Sequence, residues 1–178
     1  MIQFDYHTHS SISPDASSSM KEMCISAVQK GLIEIAITDH YEFLDFGKIH
    51  TTFTPSYISH YLDTLSQCRE IFDGRLTVKY GLELGQMYLQ PEYAAAVLKN
   101  HPWDYVIGSV HKLHNTDLSQ FTFSQDNYLE IAGEYYSGLY RLALTGDFDC
   151  LGHLDLVKRH PSRYGLPDCS DVYMPAIE

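Results

Sequence analysis

Short runs of apolar residues alternate with longer stretches in which apolar side chains recur every three or four positions. The short runs predict strands over residues 3–9, 34–40, 76–84, 105–111 and 149–155. The longer stretches predict helices. The first covers about 20–30, with Ser19 and Glu22 spaced as a capping box and Gly31 in the place of a C-terminal glycine. A second follows Thr54-Pro55 and ends near Asp73-Gly74; a third opens at Pro91-Glu92 and stops before His101-Pro102. The fourth spans about 125–144 and halts at Gly146.

Strand–helix alternation of this kind implies a mainly parallel sheet, open or closed into a barrel. Chemistry favours the barrel. In four of the five predicted strands, residues that bind metals stand at the carboxyl end, where barrels build their sites from several strands at once. Five such units cannot close a barrel of seven or eight, and after Arg163 the chain turns loop-like through Tyr164-Gly165-Leu166-Pro167-Asp168 to end at Glu178. The expectation is one domain over 1–178 that lacks the last strands of its barrel, as part of a longer polypeptide.

Composition narrows the classes. A hydrophobic content of 44% suits a globular domain, and 178 residues suit one core rather than two. With 12 basic and 23 acidic residues the net charge is −11, which argues against a nucleic-acid or anionic-membrane surface. The amino terminus has no basic and apolar leader pattern, and no apolar run approaches the roughly 18 residues of a membrane span. Four scattered cysteines (Cys24, Cys68, Cys150, Cys169) form no CxxC pair and read as reduced thiols, so the expected compartment is the cytoplasm. Oligomeric state leaves no mark on the sequence.

Ten histidines are the unusual feature, through their positions. His7 and His9 lie two apart on a strand and so share a face, with Asp5 at the same parity as a carboxylate that could orient a ring. Alone, such an HxH pair fits ordinary polar residues equally well. Asp39 and His40 end the apolar run Ile35-Ala36-Ile37, and buried ionisable groups without partners are costly. Glu83, framed by Gly81 and Gly85, has the setting of a carboxylate bridging two metals, or of a structural ion pair. His111 and His153 finish the fourth and fifth runs, each of them a plausible core histidine taken singly. Repetition in chain order is what points to a multinuclear metal site. His50, His60, His101 and His114 read as structural or solvated. Lys158, Arg159, His160 and Arg163 form the one basic cluster, suited to phosphate or to a solvated turn.

The segments DYHTHS, ITDH, GLELG, VIGSVHKL and FDCLGHLDLVKR stand in the order and spacing of the PHP (polymerase and histidinol phosphatase) superfamily. The chain resembles its histidinol-phosphate phosphatase branch from residue 1 to about 160. That resemblance implies a distorted (β/α)7 TIM-like barrel holding three divalent ions, zinc foremost, with iron or manganese as alternatives. It implies His7, His9 and Glu83 at the first ion, Glu83, His111 and His153 at the second, and His40 with Asp15 at the third. Many relatives have histidine at the Asp15 position; an oxygen ligand there favours a harder metal. The implied reaction, a step in histidine biosynthesis, is hydrolysis of L-histidinol phosphate, a small phosphate ester. Glu83, His153 and Arg159 would be catalytic, and Lys158, Arg159 and Arg163 would hold the phosphate. Other PHP phosphoesterases, acting on nucleotides, phosphodiesters or phosphotyrosine, and a non-catalytic metal-binding domain are the rivals. The family's Asp-x-His pair from its last strand has no counterpart, since no histidine follows His160.

Overall fold

Every strand of the main sheet runs parallel to its neighbours. The computed structural model describes residues 3–43 and 55–168, except the side chains of Pro55 and Ser56; His50, Thr54 and Cys169 lie outside them. Strand β1 (Phe4–Thr8) pairs with β2 (Glu34–Ile37), and β2 pairs with β4 (Thr77–Gly85). Next come β5 (Tyr105–Ser109) and β8 (Cys150–Leu151), while the short β3 (His40–Glu42) lies along the upper half of β4. Successive strands are added on one side in chain order, β1-β2-β4-β5-β8, and the order never reverses. That is the winding of a barrel wall, not of a doubly wound sheet with its switch point. A small antiparallel hairpin, β6 (Lys112–Leu113) with β7 (Thr116–Asp117), follows β5 and was not anticipated.

Helices α1 (Met20–Gln29), α2 (Pro55–Phe72), α3 (Pro91–Asn100) and α4 (Tyr128–Ala143) connect the strands. The capping box is present at α1: Ser19 Oγ accepts from Glu22 N–H, and the Glu22 carboxylate accepts from Ser19 N–H at 2.7 Å. Helix α2 buries Ile58, Tyr61, Leu65, Cys68 and Phe72, spaced three and four apart, so one stripe faces the sheet. It meets the buried Ile35, Ile37, Val78, Leu82 and Leu84. Cys24 and Cys68 are free and lie in this core; Cys150 is free and exposed. Among the described residues, no helix is long and apolar enough to cross a membrane.

Two of the departures from the predicted strands shape the site. The run 34–40 breaks at Thr38-Asp39, because the Tyr61 hydroxyl wedges between β2 and β4. Its oxygen lies 2.9 Å from Ile37 O and 3.0 Å from Gly81 O, and accepts from Asp39 N–H at 3.4 Å. The chain re-pairs at β3, whose register sets His40 directly beside Glu83. In the run 149–155 only Cys150 and Leu151 pair with β5; beyond them Tyr135 of α4 donates its hydroxyl to His153 O at 2.6 Å.

Candidate metal centre

Strand ends β1, β3 and β4 and the segments after β5 and β8 deliver their polar side chains to one mouth of the sheet. Glu83 lies at its middle and is fully buried. Its Oε2 lies 3.2 Å from His7 Nε2, 3.4 Å from His9 Nε2 and 3.1 Å from His40 Nδ1. Its Oε1 accepts from Ser109 Oγ at 2.6 Å and lies 3.1 Å from His111 Nε2 and 3.2 Å from His153 Nε2. The five imidazoles close a circuit around this carboxylate. Ring centroids are 5.2 Å apart for His7 and His9, 4.3 Å for His9 and His40, and 4.7 Å for His40 and His111. The circuit ends with 5.0 Å from His111 to His153 and 5.8 Å from His153 back to His7.

Close approach of the strands requires glycine here. A Cβ on Gly152 would meet Ser109 Oγ at 2.1 Å, and one on Gly85 would meet the Glu42 carboxylate at 2.5 Å.

Each sequence-derived ligand candidate reaches this mouth. Asp15 is the outermost, its Oδ2 3.6 Å from His40 Nε2. Asp5 instead accepts from the backbone N–H of His7, at 3.4 Å, and touches no ring nitrogen. Arg159, His160 and Arg163 line the cavity above the centre, about 620 Å³ in volume, with Asp15, Lys112, Asp117 and Gln120 on other walls. Lys158 lies off the cavity lining: the tight turn Leu156–Arg159 carries successive side chains in different directions, and Lys158 Nζ lies 3.8 Å from Asp168 Oδ1. His114 is exposed and pairs with Glu134.

The sequence reading missed Glu42 and Gln86. Glu42 Oε1 lies 2.6 Å from His111 Nδ1, and Glu42 Oε2 takes Gln86 Nε2 at 2.7 Å and Lys112 Nζ at 3.1 Å. Gln86 holds a left-handed backbone (φ 56°, ψ 34°), and its side-chain Oε1 accepts from His111 N–H at 2.6 Å. A signal for Glu42 did exist, because His40 and Glu42 alternate on one strand as His7 and His9 do. For Gln86 no such signal existed, since its role follows from a backbone conformation.

The electrostatics follow from crowding. Burial alone would lift the Glu83 carboxyl, but hydrogen bonds from His111 and His153 and the close approach of His7 outweigh it and hold it well below the carboxylate range. Burial likewise opposes a charge on His111, yet the flanking Glu42 and Glu83 push that ring up to about 10. Burial, helped by the neighbouring His40, pulls His9 down to about 4. His7 is raised, chiefly by the Glu83 carboxylate close beside it.

This donor set fits divalent cations. Glu83 Oε2, buried and ringed by three imidazole nitrogens, makes no hydrogen bond, and buried Nδ1 atoms of His40 and His153 make none either. Unpaired buried polar atoms are costly in a protein alone, and nitrogen and oxygen donors of this kind suit zinc, iron or manganese. Among the described residues, three sets bring ligand atoms within 4.8 Å of one another: His7, Glu83 and His153; His9, His40 and Glu83; His40, Glu42 and His111. Two sets share Glu83, as a bridging carboxylate would require.

Fold and site define a class. A sequence model of the PHP domain matches residues 5–175, and the chain belongs to the PHP domain family. Among curated proteins it is 30% identical over 173 residues to the "Probable histidinol-phosphatase" of Deinococcus radiodurans, covering 95% of this chain and 65% of that protein. It is 27% identical over 166 residues to the histidinol-phosphatase of Lactococcus lactis, covering 90% of this chain and 59% of the other. The chain thus spans roughly three fifths of the length of these relatives. The solved structure of the Lactococcus lactis histidinol phosphate phosphatase, complexed with zinc, L-histidinol and phosphate, superposes with a TM-score of 0.74 at 25% identity. That superposition covers 88% of this chain and 59% of that one. A Listeria monocytogenes structure at 18% identity shares the fold, also with a TM-score of 0.74.

Proposed function

We propose that this chain provides the catalytic centre of a phosphatase that hydrolyses L-histidinol phosphate to L-histidinol and phosphate, with three divalent ions, zinc foremost. The observation that carries the reading is the closed circuit of five imidazoles around the buried Glu83, with arginines on the rim above. Zinc, L-histidinol and phosphate in the related structure support it.

His7, His9 and Glu83 would hold one ion, Glu83, His111 and His153 a second, and His40 with Asp15 a third. Bound ions supply Lewis acidity that polarises the phosphoryl group and acidifies water at neutral pH. Arg159 and Arg163 face the same cavity and would grip the phosphoryl oxygens, whose charge grows in the transition state. Glu42 takes the outer nitrogen of His111, so its inner nitrogen faces the centre. Glu83, placed between two groups of rings, would contribute to holding two of these ions. In the reaction a water oxygen bonds to phosphorus, the ester P–O bond breaks, and the departing alkoxide gains a proton.

Phosphate release from L-histidinol phosphate, measured with zinc analysis of the same sample, tests this reading. His9→Ala and Glu83→Ala are expected to lower turnover by at least about 10³-fold and to reduce bound zinc. Near-normal turnover in a zinc-depleted variant would refute the mechanism. Parallel assays with nucleotides, phosphodiesters and phosphotyrosine would expose a different ester preference.

A further inference from the structure

Behind His9 lies a group of buried hydroxyls and one carboxylate that the proposed chemistry leaves unused. Ser13 Oγ, on the loop after β1, is almost fully buried and has three polar neighbours. Asp39 Oδ1 lies 2.6 Å away, the backbone nitrogen of His40 3.0 Å away, and His9 Nδ1 3.3 Å away. Asp39 also collects the Ser10 N–H at 2.7 Å and the Ser10 hydroxyl at 2.7 Å, so every neighbour around it is a donor.

Directions of these bonds can be assigned by elimination. A serine hydroxyl has one hydrogen to give and two lone pairs to receive. A carboxylate only accepts, so the Ser13 hydrogen points to Asp39. A backbone N–H only donates, so His40 takes one lone pair of Ser13. The remaining lone pair faces His9 Nδ1, and the contact is a hydrogen bond only if that nitrogen carries the hydrogen. We propose that Ser13, anchored by Asp39, locks His9 as the Nδ1–H tautomer and leaves its Nε2 bare toward Glu83. In water a free imidazole side chain prefers the opposite form, so the protein selects the minor tautomer. The same serine holds the backbone of His40, so one hydroxyl sets the ring of one ligand candidate and the position of another. Its consequence for metal uptake rests on the reading above; the tautomer does not.

Nitrogen-15 NMR of the zinc-stripped protein, at about pH 7.5 where an ordinary histidine is neutral, reads the tautomer directly. His9 is expected to show a protonated Nδ1 and an unprotonated Nε2. Ser13→Ala is expected to shift the ring toward Nε2–H and to weaken zinc binding, titrated with the metal alone, by roughly 10–100-fold. Ser13→Thr keeps the hydroxyl and is expected to restore both. An Nε2–H ring in the unmutated protein overturns the proposal, as does a folded Ser13→Ala variant with unchanged tautomer; unchanged zinc affinity in that variant overturns the consequence for metal uptake. Should Ser13→Ala fail to fold, the ring pattern of the unmutated protein still decides. Loss of phosphatase activity on L-histidinol phosphate with the tautomer intact would count against the substrate assignment alone.

Discussion

His111 is held between two carboxylates, and this fixes how the ion-free protein responds to pH. Folded, its ring keeps a proton up to about 10; unfolded, it returns to about 6.5. Its contribution to stability is complete below 6.5 and disappears as pH rises through about 10. Glu83 and Glu42 run the other way, because both carboxyls are held below their ordinary 4.5. Their contribution is present above that value and is lost on acidification. His9 adds to the acid-side loss: held near 4, it stays neutral in the fold while the unfolded chain takes up a proton below 6.5. Metal-free protein is therefore expected to melt highest near pH 6.5. Calorimetric melting temperature should fall on both sides, by roughly 2–4 °C for each kcal/mol lost. On the proposed reading a cation at His111 would displace its proton, so zinc binding is expected to release protons, visible as a buffer-dependent heat in titration calorimetry.

At the level of elements, the break between β2 and β3 depends on one hydroxyl. Tyr61→Phe removes the group that serves Ile37 O, Gly81 O and Asp39 N–H, all in the core. The expected cost is about 1–3 kcal/mol in urea unfolding, with lowered zinc affinity because His40 loses its register beside Glu83. Much of the centre was legible beforehand, since strand-terminal histidines and Glu83 follow apolar runs whose period fixes the face they share. Part of what escaped was set by contacts distant in sequence, and the rest by local backbone conformation. The run 34–40 reads as one strand, and only Tyr61, more than 20 residues on, divides it. Glu42 then falls in register with the histidines instead of in a loop. Lys158 was placed on the rim by proximity to Arg159, and the pitch of a tight turn separates the two. Gln86 takes a conformation that glycine usually supplies, which no apolar pattern encodes.

Across the whole molecule, a chain of net charge −11 keeps two arginines over its one proposed phosphate position. Arg159→Met is expected to lower kcat/KM for a phosphate ester about tenfold or more while leaving zinc content unchanged, which would separate phosphoryl grip from metal loading. The circuit of imidazoles draws on strand ends from His7 to His153, so its members meet only once the parallel wall has formed. A nascent or half-folded polypeptide offers an ion little beyond the local His7–His9 pair. Zinc capture would then be a late event that reports completed assembly, and the captured ion would act as a clasp across the sheet. Free zinc at a hundredfold excess over its dissociation constant would add about 2.7 kcal/mol, which a chelator would withdraw without breaking a covalent bond.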